Sequence, residues 1–308
     1  MAEGDIVFVV NPASDNGKTR TRWPEIAHLA SKAGLEGEAL LSEHRGEIPE
    51  LVEGAAADGA KLIVAVGGDG TVNEVVNGLL AVRAGGGPMP ELGILPRGTG
   101  TDFVRTFRIP TRLDDAIRVA LEGETREIDA GQVEYRTWDG GTGASHFVNV
   151  ASAGMSGAIA QRANATSKAL GGKVSFLWAT LAVFSRWEPG EIAVEVGSER
   201  REARMRDVIV ANGKYLAGGM KMCPDAVPDD GVFDVLLIGD ITKADLMRTL
   251  PKVYRGKHLP HPKAELLRGS VVTVDASTAL PIELDGEQPG TTPARFEVVP
   301  RALRLRVP

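Results

Sequence analysis

The run Val66-Gly67-Gly68-Asp69-Gly70-Thr71-Val72-Asn73-Glu74 puts three glycines, two acids and a helix-capping pair within nine residues. An apolar segment, Leu62 to Val66, precedes it and has the length of a buried parallel strand. Val72, Val75, Val76, Leu79 and Leu80 then recur at helical spacing. Thr71 and Glu74 fit the S/T-x-x-E capping box, which sets the expected helix start at Thr71. A strand, a glycine turn and a helix gather backbone N–H groups and the positive end of a helix dipole at one point, an anion site. Asp69 alters that chemistry, because a carboxylate repels phosphate unless a cation or a donor hydroxyl stands between them. The run therefore points to a metal-bridged nucleotide; the alternative is a tight βα turn without a ligand. Two other phosphate motifs do not fit. A G-x-G-x-x-G pattern from Gly68 meets Asn73 at its last position, and a Walker A pattern ending Gly17-Lys18-Thr19 meets Pro12 where it needs glycine.

GGDGT followed by Asn73-Glu74 resembles the nucleotide motif of the diacylglycerol kinase catalytic-domain family, which includes bacterial lipid kinases and has the NAD kinases as distant relatives. Other stretches match in order. Asn11-Pro12-Ala13-Ser14 with Lys18 resembles the family's opening motif. Leu95 to Phe103 resembles LPxGTxNDF, and Asp129-Ala130-Gly131 the D-x-G that follows. Pro224 to Phe233 resembles the DDG segment, and Leu284-Asp285-Gly286-Glu287 the DGE. Two positions depart: Thr101 stands where the family usually has Asn, and Asp15 where glycine is common.

The resemblance implies ATP as phosphoryl donor, Mg²⁺, and a lipid hydroxyl, most readily that of diacylglycerol or a related glycerolipid, as acceptor. The phosphates would lie on the backbone of Gly67, Gly68, Asp69, Gly70 and Thr71 and of Gly98 and Thr99, with the hydroxyls of Thr71 and Thr99. Asn73 belongs to the same motif. Ser42 matches a position that contacts ATP, or is a plain strand-end serine; Asn11 fixes the nucleotide or caps its own loop. Lys18 and Arg97 could offset phosphate charge. Asp69, Asp102 and Asp129 would hold Mg²⁺ through water, in keeping with a hard cation that takes few direct carboxylates; otherwise Asp102 caps a helix and Asp129 ends a strand. Glu287 would be the general base for the lipid hydroxyl; the alternative is a solvated glutamate at a hairpin tip. A structural metal is implied at Asp230 with the carbonyls of Val227 and Val232, against a plain Asp-Gly turn. Apolar residues around Phe176, Leu177, Trp178 and Phe184 offer a lipid slot or ordinary core.

These residues need a frame. Strands are expected at Ile6 to Val10, Ala39 to Ser42, Leu62 to Val66 and Leu92 to Leu95. Helices are expected through Ile26, Leu29 and Ala30, at Ile48 to Ala57, at Val72 to Val82 and at Leu113 to Leu121. Alternating β and α segments give a parallel sheet covered on both faces, with Asn11, Ser42, Gly67 to Thr71 and Gly98 to Asp102 all following strand ends, where such sheets bind ligands. From Glu127 the strand-like segments follow one another: Glu127 to Tyr135, His146 to Ala153, Ile192 to Val196, Met205 to Ala211, Val232 to Ile238, Val271 to Asp275 and Phe296 to Val299. Helical stretches at Ser175 to Trp187 and Lys243 to Val253 interrupt them, and turns are expected at Asn212-Gly213 and Asp230-Gly231. The expected architecture is an α/β nucleotide-binding domain, residues 1–130, and a mainly antiparallel β-sandwich-like domain, residues 131–308. The resemblance leaves open a return of the C-terminal segment to the first domain.

With 308 residues the chain is long enough for two cores, and 25% charged with 43% hydrophobic residues is ordinary globular composition. A formal charge of −6 argues against a nucleic-acid binder. The single cysteine, Cys223, excludes an internal disulfide and suits a reducing compartment. The most apolar long stretch, Val174 to Phe184, is about half the ~20 residues of a spanning helix. No transmembrane segment is expected. The expected location is cytoplasmic, with room for a peripheral position at the inner membrane face and for a homodimer. Two other readings stand beside the lipid kinase: an NAD kinase-like activity on a soluble nucleotide, and a nucleotide-binding regulator without turnover.

Overall fold

The computed structural model describes residues 4–98, 100–165, 180 and 182–308. Thr99 and the segment around Phe176, Leu177 and Trp178 lie outside the described residues. Two compact units divide the chain: Met1–Ile128 with Arg301–Pro308, and Asp129–Pro300. The expected fold class holds, with an α/β unit of parallel strands and an antiparallel β-sandwich-like unit.

In the first unit, β1 (Ile6–Val10) pairs in parallel with both β2 (Glu38–Leu41) and β3 (Leu62–Gly67), and β3 with β4 (Glu91–Pro96). The end of the last strand, β14 (Gly290–Val307), lies parallel to β4 through Leu305 and Leu92. Both faces are dry. Ile6, Phe8, Val10, Val64 and Val66 pack on one side with Ile26 and Ala30 of α1 (Lys18–Lys32) and Ile117 of α5 (Leu113–Glu122). The alternate residues Val7, Val9, Ile63 and Ala65 are just as buried, which is why these strands read as continuous apolar runs. Between them α2 (Ile48–Ala57) spans the expected residues, and β2 begins and ends one residue earlier than expected.

One local expectation fails. Helix α3 (Asp69–Ala84) begins two residues before Thr71, with Gly68 as its N-cap and no side-chain cap. Thr71 is inside the first turn and buried, and its hydroxyl accepts from Asn11 Nδ2 at 3.0 Å. Its side chain lies so closely over Gly67 that a Cβ there would overlap it. The Thr-x-x-Glu spacing is present, but inward packing takes the hydroxyl that capping requires. The short α4 (Asp102–Thr106) follows the second glycine loop.

The second unit includes β5 (Glu124–Thr137) from Asp129 onward. There β5 pairs with β6 (Thr142–Phe147). A long central strand, β9 (Glu199–Ala211), pairs antiparallel with β8 (Gly190–Val196), β7 (Val150–Gly154) and β10 (Phe233–Gly239). Strand β11 (Ala264–Gly269) lies beside β10, β12 (Val271–Ala276) joins β8 to β14, and β13 (Ile282–Leu284) flanks β7. Phe147, Phe233 and Phe296 meet at its centre, with ring centroids 5.5 and 6.2 Å from that of Phe147. Helices α6 (Met155–Ala165) and α7 (Lys243–Val253) also belong to this unit; the second matches expectation and the first was not foreseen.

Two corrections follow. The strand expected at His146 to Ala153 is broken after Phe147, because the N–H groups of Val148, Asn149 and Val150 all turn to the Asp285 carboxylate at 2.8–3.1 Å. Asn212-Gly213 closes no hairpin. Asn212 is buried, and its Nδ2 donates to the carbonyls of Asp129 at 3.0 Å and Val148 at 2.8 Å. Among the described residues no helix is long and apolar enough to cross a membrane.

Candidate active site

In the first unit, strand ends and backbone hydrogen bonds bring the two glycine loops together. Arg97 N–H donates to the Gly67 carbonyl at 2.6 Å, continuing the β3–β4 ladder past the strands. Immediately beyond, Gly68 and Gly98 touch: a Cβ on Gly98 would stand 2.8 Å from the Gly68 Cα, a backbone approach only glycine permits. Asp69 then bridges the loops. Its two carboxylate oxygens accept the N–H groups of Asp102, at 3.0 Å, and Phe103, at 3.4 Å. The carboxylate of the first motif thereby sits at the N-terminus of the helix that begins with Asp102, a favourable end for an anion. Asp102 is buried, with Arg105 Nη1 3.6 Å from its Oδ1. Asp69 and Asp102 thus meet at one point.

The remaining residues expected at the phosphates have assigned contacts. Asn11 caps its own loop, its Oδ1 accepting Ala13 N–H at 3.0 Å, and ties that loop to Thr71. Asp15, where glycine is common, has φ +52, a backbone region in which glycine carries no penalty. Ser42 follows β2 and donates its N–H to the Val10 carbonyl at 3.0 Å. Asn73 lies in α3, and its side-chain oxygen accepts Asn77 Nδ2 at 3.2 Å. The first turn of α3 holds Asp69, Gly70 and Thr71, whose N–H groups have no i−4 carbonyl within the helix. The Thr71 hydroxyl, expected to reach phosphate, faces inward instead.

In the second unit Asp129 is buried on β5. Its carboxylate accepts Gly231 N–H at 2.8 Å, and its own N–H donates to Pro228 O at 2.8 Å. The DDG segment thus holds the side chain of the D-x-G aspartate.

Glu287 is exposed at the end of a tight turn, Leu284 to Glu287, closed by backbone hydrogen bonds in both directions at 2.8 and 2.9 Å. Asp285 and Gly286 both have positive φ, +48 and +98, matching the twist of a hairpin. Two acids fix this turn: Asp285 of the motif itself, and Glu283, which was not singled out. Asp285 draws in the three N–H groups named above, and the buried Glu283 accepts Gly286 N–H and, at 3.1 Å, the Ser152 hydroxyl. Asp207, also buried, accepts both the N–H and the hydroxyl of Ser156. Burial pushes the Glu283 carboxyl up to about 8, with Asp285 and Asp207 adding to it, and burial pushes Asp207 up to about 7.

Both groups therefore keep a proton in the folded chain at pH values where the unfolded chain has lost it. The sign follows. The contribution of these two groups to stability is greatest below the ordinary carboxylate range and falls as pH rises toward about 8. Glu283→Gln, which mimics the protonated form, is expected to flatten that fall by an amount on the order of a few kcal/mol. Urea unfolding of wild type and variant at about pH 5 and about pH 8.5 checks it; equal slopes with pH in the two proteins would remove Glu283 as the cause.

The donor set expected for a structural metal does not fit one. One Asp230 carboxylate oxygen accepts Val232 N–H at 3.2 Å and the other is paired with Arg268 Nη2, while Val227 O accepts Asp230 N–H at 3.4 Å. No cluster of three or more His, Cys, Asp or Glu groups suited to a metal occurs among the described residues.

Comparison with known proteins bears on both units. Residues 5–133 match the family model described as the diacylglycerol kinase catalytic domain, and residues 149–307 match the YegS C-terminal NAD kinase beta sandwich-like domain. A protein named diacylglycerol kinase from Staphylococcus carnosus is 26% identical over 289 residues, covering 94% of this chain and 90% of that one. One of the same name from Staphylococcus aureus strain MRSA252 is 27% identical over 301 residues, covering 98% and 91%. Among solved structures, a diacylglycerol kinase from Bacillus anthracis superposes with a TM-score of 0.75 at 20% identity, over 100% of this chain and 98% of the other. Yeast NADH kinase complexed with NADH superposes at 0.55 and 12% identity, over 96% and 78%. At these identities the structural likeness speaks to fold.

Proposed function

Because this chain belongs to the diacylglycerol kinase catalytic-domain family, we propose that it is an ATP-dependent lipid kinase, transferring the γ-phosphoryl group to a hydroxyl of diacylglycerol or a related glycerolipid. The observation that carries the reading is the Asp69 carboxylate joining two glycine loops at the start of α4. Glycine backbones that touch, beside a helix N-terminus, suit a phosphate chain; a carboxylate at the same point suits a nucleotide that arrives with a cation. Mg²⁺, when bound, would neutralise charge on the phosphates. Carboxylates are hard oxygen donors suited to such an ion, and Asp69, Asp102 and Asp129 are the residues that would hold it through water. The chain's own part is positioning. Gly67 to Thr71 and Gly98 to Thr99 orient the phosphates, with Asn11, Ser42 and Asn73 bordering them. Glu287, on a turn fixed by Asp285 and Glu283, takes the proton of the acceptor hydroxyl.

A turnover assay with labelled ATP against a panel of lipids and against NAD tests the reading. Label transferred to a glycerolipid is the expected result. Transfer to NAD alone would replace it with the NAD kinase-like activity, and tight nucleotide binding without transfer would make the chain a regulator.

A lipid acceptor requires contact with a membrane surface. Residues 243–257, α7 and the turn after it, carry Lys243, Arg248, Lys252, Arg255 and Lys257 against the single acid Asp245, within a chain of net charge −6. Met247 and Tyr254 are 59% and 47% exposed there. Basic residues around exposed apolar ones suit an anionic bilayer surface. Met247→Glu with Tyr254→Glu is expected to weaken sedimentation with phosphatidylglycerol vesicles by about tenfold. Unchanged sedimentation would exclude this helix as the contact.

A further inference from the structure

Four acids, Asp225, Asp229, Asp230 and Asp234, fall within ten residues that run from the turn before β10 into its second position. Like charges so close together require a counter-charge. The β10–β11 register supplies one: Arg268 stands directly opposite Asp234 across the antiparallel pair. From there its guanidinium reaches in two directions. Nη2 pairs with Asp230 Oδ2, and Nε lies 3.7 Å from Asp234 Oδ2. The Asp234 side chain is only 3% exposed, and burial pushes its carboxyl up while Arg268 acts in the opposite direction.

We propose that Arg268, and not a divalent cation, neutralises and fixes the Asp230-Gly231 turn in this chain. A calcium or magnesium ion needs oxygen donors at about 2.0–2.6 Å. At Asp230 it would share one oxygen with a guanidinium and the other with the Val232 N–H, and two positive groups would lie side by side. The guanidinium meets the same demand without dehydrating an ion. It is planar, permanently charged and forked, so one group serves two carboxylates. Its place is set by strand pairing, since a one-residue slip of β11 would carry Arg268 to the other face of the sheet. The clamp also acts beyond its own turn. Gly231, next to Asp230, is the residue whose N–H holds the Asp129 carboxylate. Arg268 thus supports the turn that holds Asp129.

Thermal melting without nucleotide tests this without reference to activity. Wild type, Asp230→Asn and Arg268→Gln are melted in EDTA and in millimolar Ca²⁺ or Mg²⁺. The expected result is that removing divalent cations shifts wild type no more than it shifts Asp230→Asn, while Arg268→Gln melts roughly 3–6 °C below wild type. A chelator-induced loss larger in wild type than in Asp230→Asn would place a cation at Asp230 and overturn the proposal. Arg268→Gln melting with wild type would also overturn it. Should Arg268→Gln fail to fold, the comparison of wild type with Asp230→Asn decides alone.

Discussion

Asp69→Asn is expected to lower phosphoryl transfer by about 10²- to 10⁴-fold and to weaken nucleotide binding with it. Two losses add. The carboxylate accepts the N–H groups of Asp102 and Phe103 with separate oxygens. An amide can satisfy one of them but turns its own NH₂ toward the other donor. That withdraws a charged cap from α4, which costs about 0.5–2 kcal/mol. It also removes a negative charge from the point where the proposed Mg²⁺ is needed, and the bridge between the two glycine loops keeps only one of its two hydrogen bonds. Turnover with labelled ATP and calorimetric titration with nucleotide measure the two effects separately. A variant that keeps more than a tenth of wild-type turnover would take Asp69 out of the site.

Glu287→Gln should behave differently: turnover falls by about 10²- to 10⁴-fold, while nucleotide affinity stays within about threefold of wild type. The reason lies in what holds the turn. Backbone hydrogen bonds between Leu284 and Glu287, the Asp285 carboxylate on three N–H groups, and Glu283 on Gly286 all survive the substitution. The amide keeps the size of the side chain and loses only the ability to accept a proton. Unchanged turnover would remove Glu287 from the mechanism; lost nucleotide affinity would show that it serves the phosphates.

The α/β frame was legible because it is written in short-range patterns. Leu62 to Val66 is a fully buried strand, and Val72 to Leu80 keep helical spacing whatever lies across from them. The start of α3 was misread by the same logic. A capping box is a spacing, and whether Thr71 turns outward depends on Asn11, sixty positions earlier. In the second unit the decisive contacts are longer still. Nothing near Val148 announces that Asp285 will end its strand, and Glu283 looks solvated until it is seen in a three-residue strand between buried Ile282 and Leu284. Arg268 has no local signature at all: its partners follow from strand register. The motif residues were visible as chemistry, and the groups that hold them were not, because support comes from segments distant along the chain.

Strand β14 sets an order on synthesis. Its residues 294–297 pair with β12, whereas Leu305 pairs with Leu92 on β4. As the polypeptide leaves the ribosome, β1 to β4 emerge early, yet the flank of β4 that receives β14 stays uncovered until residue 305 has cleared the exit tunnel. An exposed strand edge is a template for wrong partners, so until residue 305 emerges the nascent chain carries an open seam beside β4.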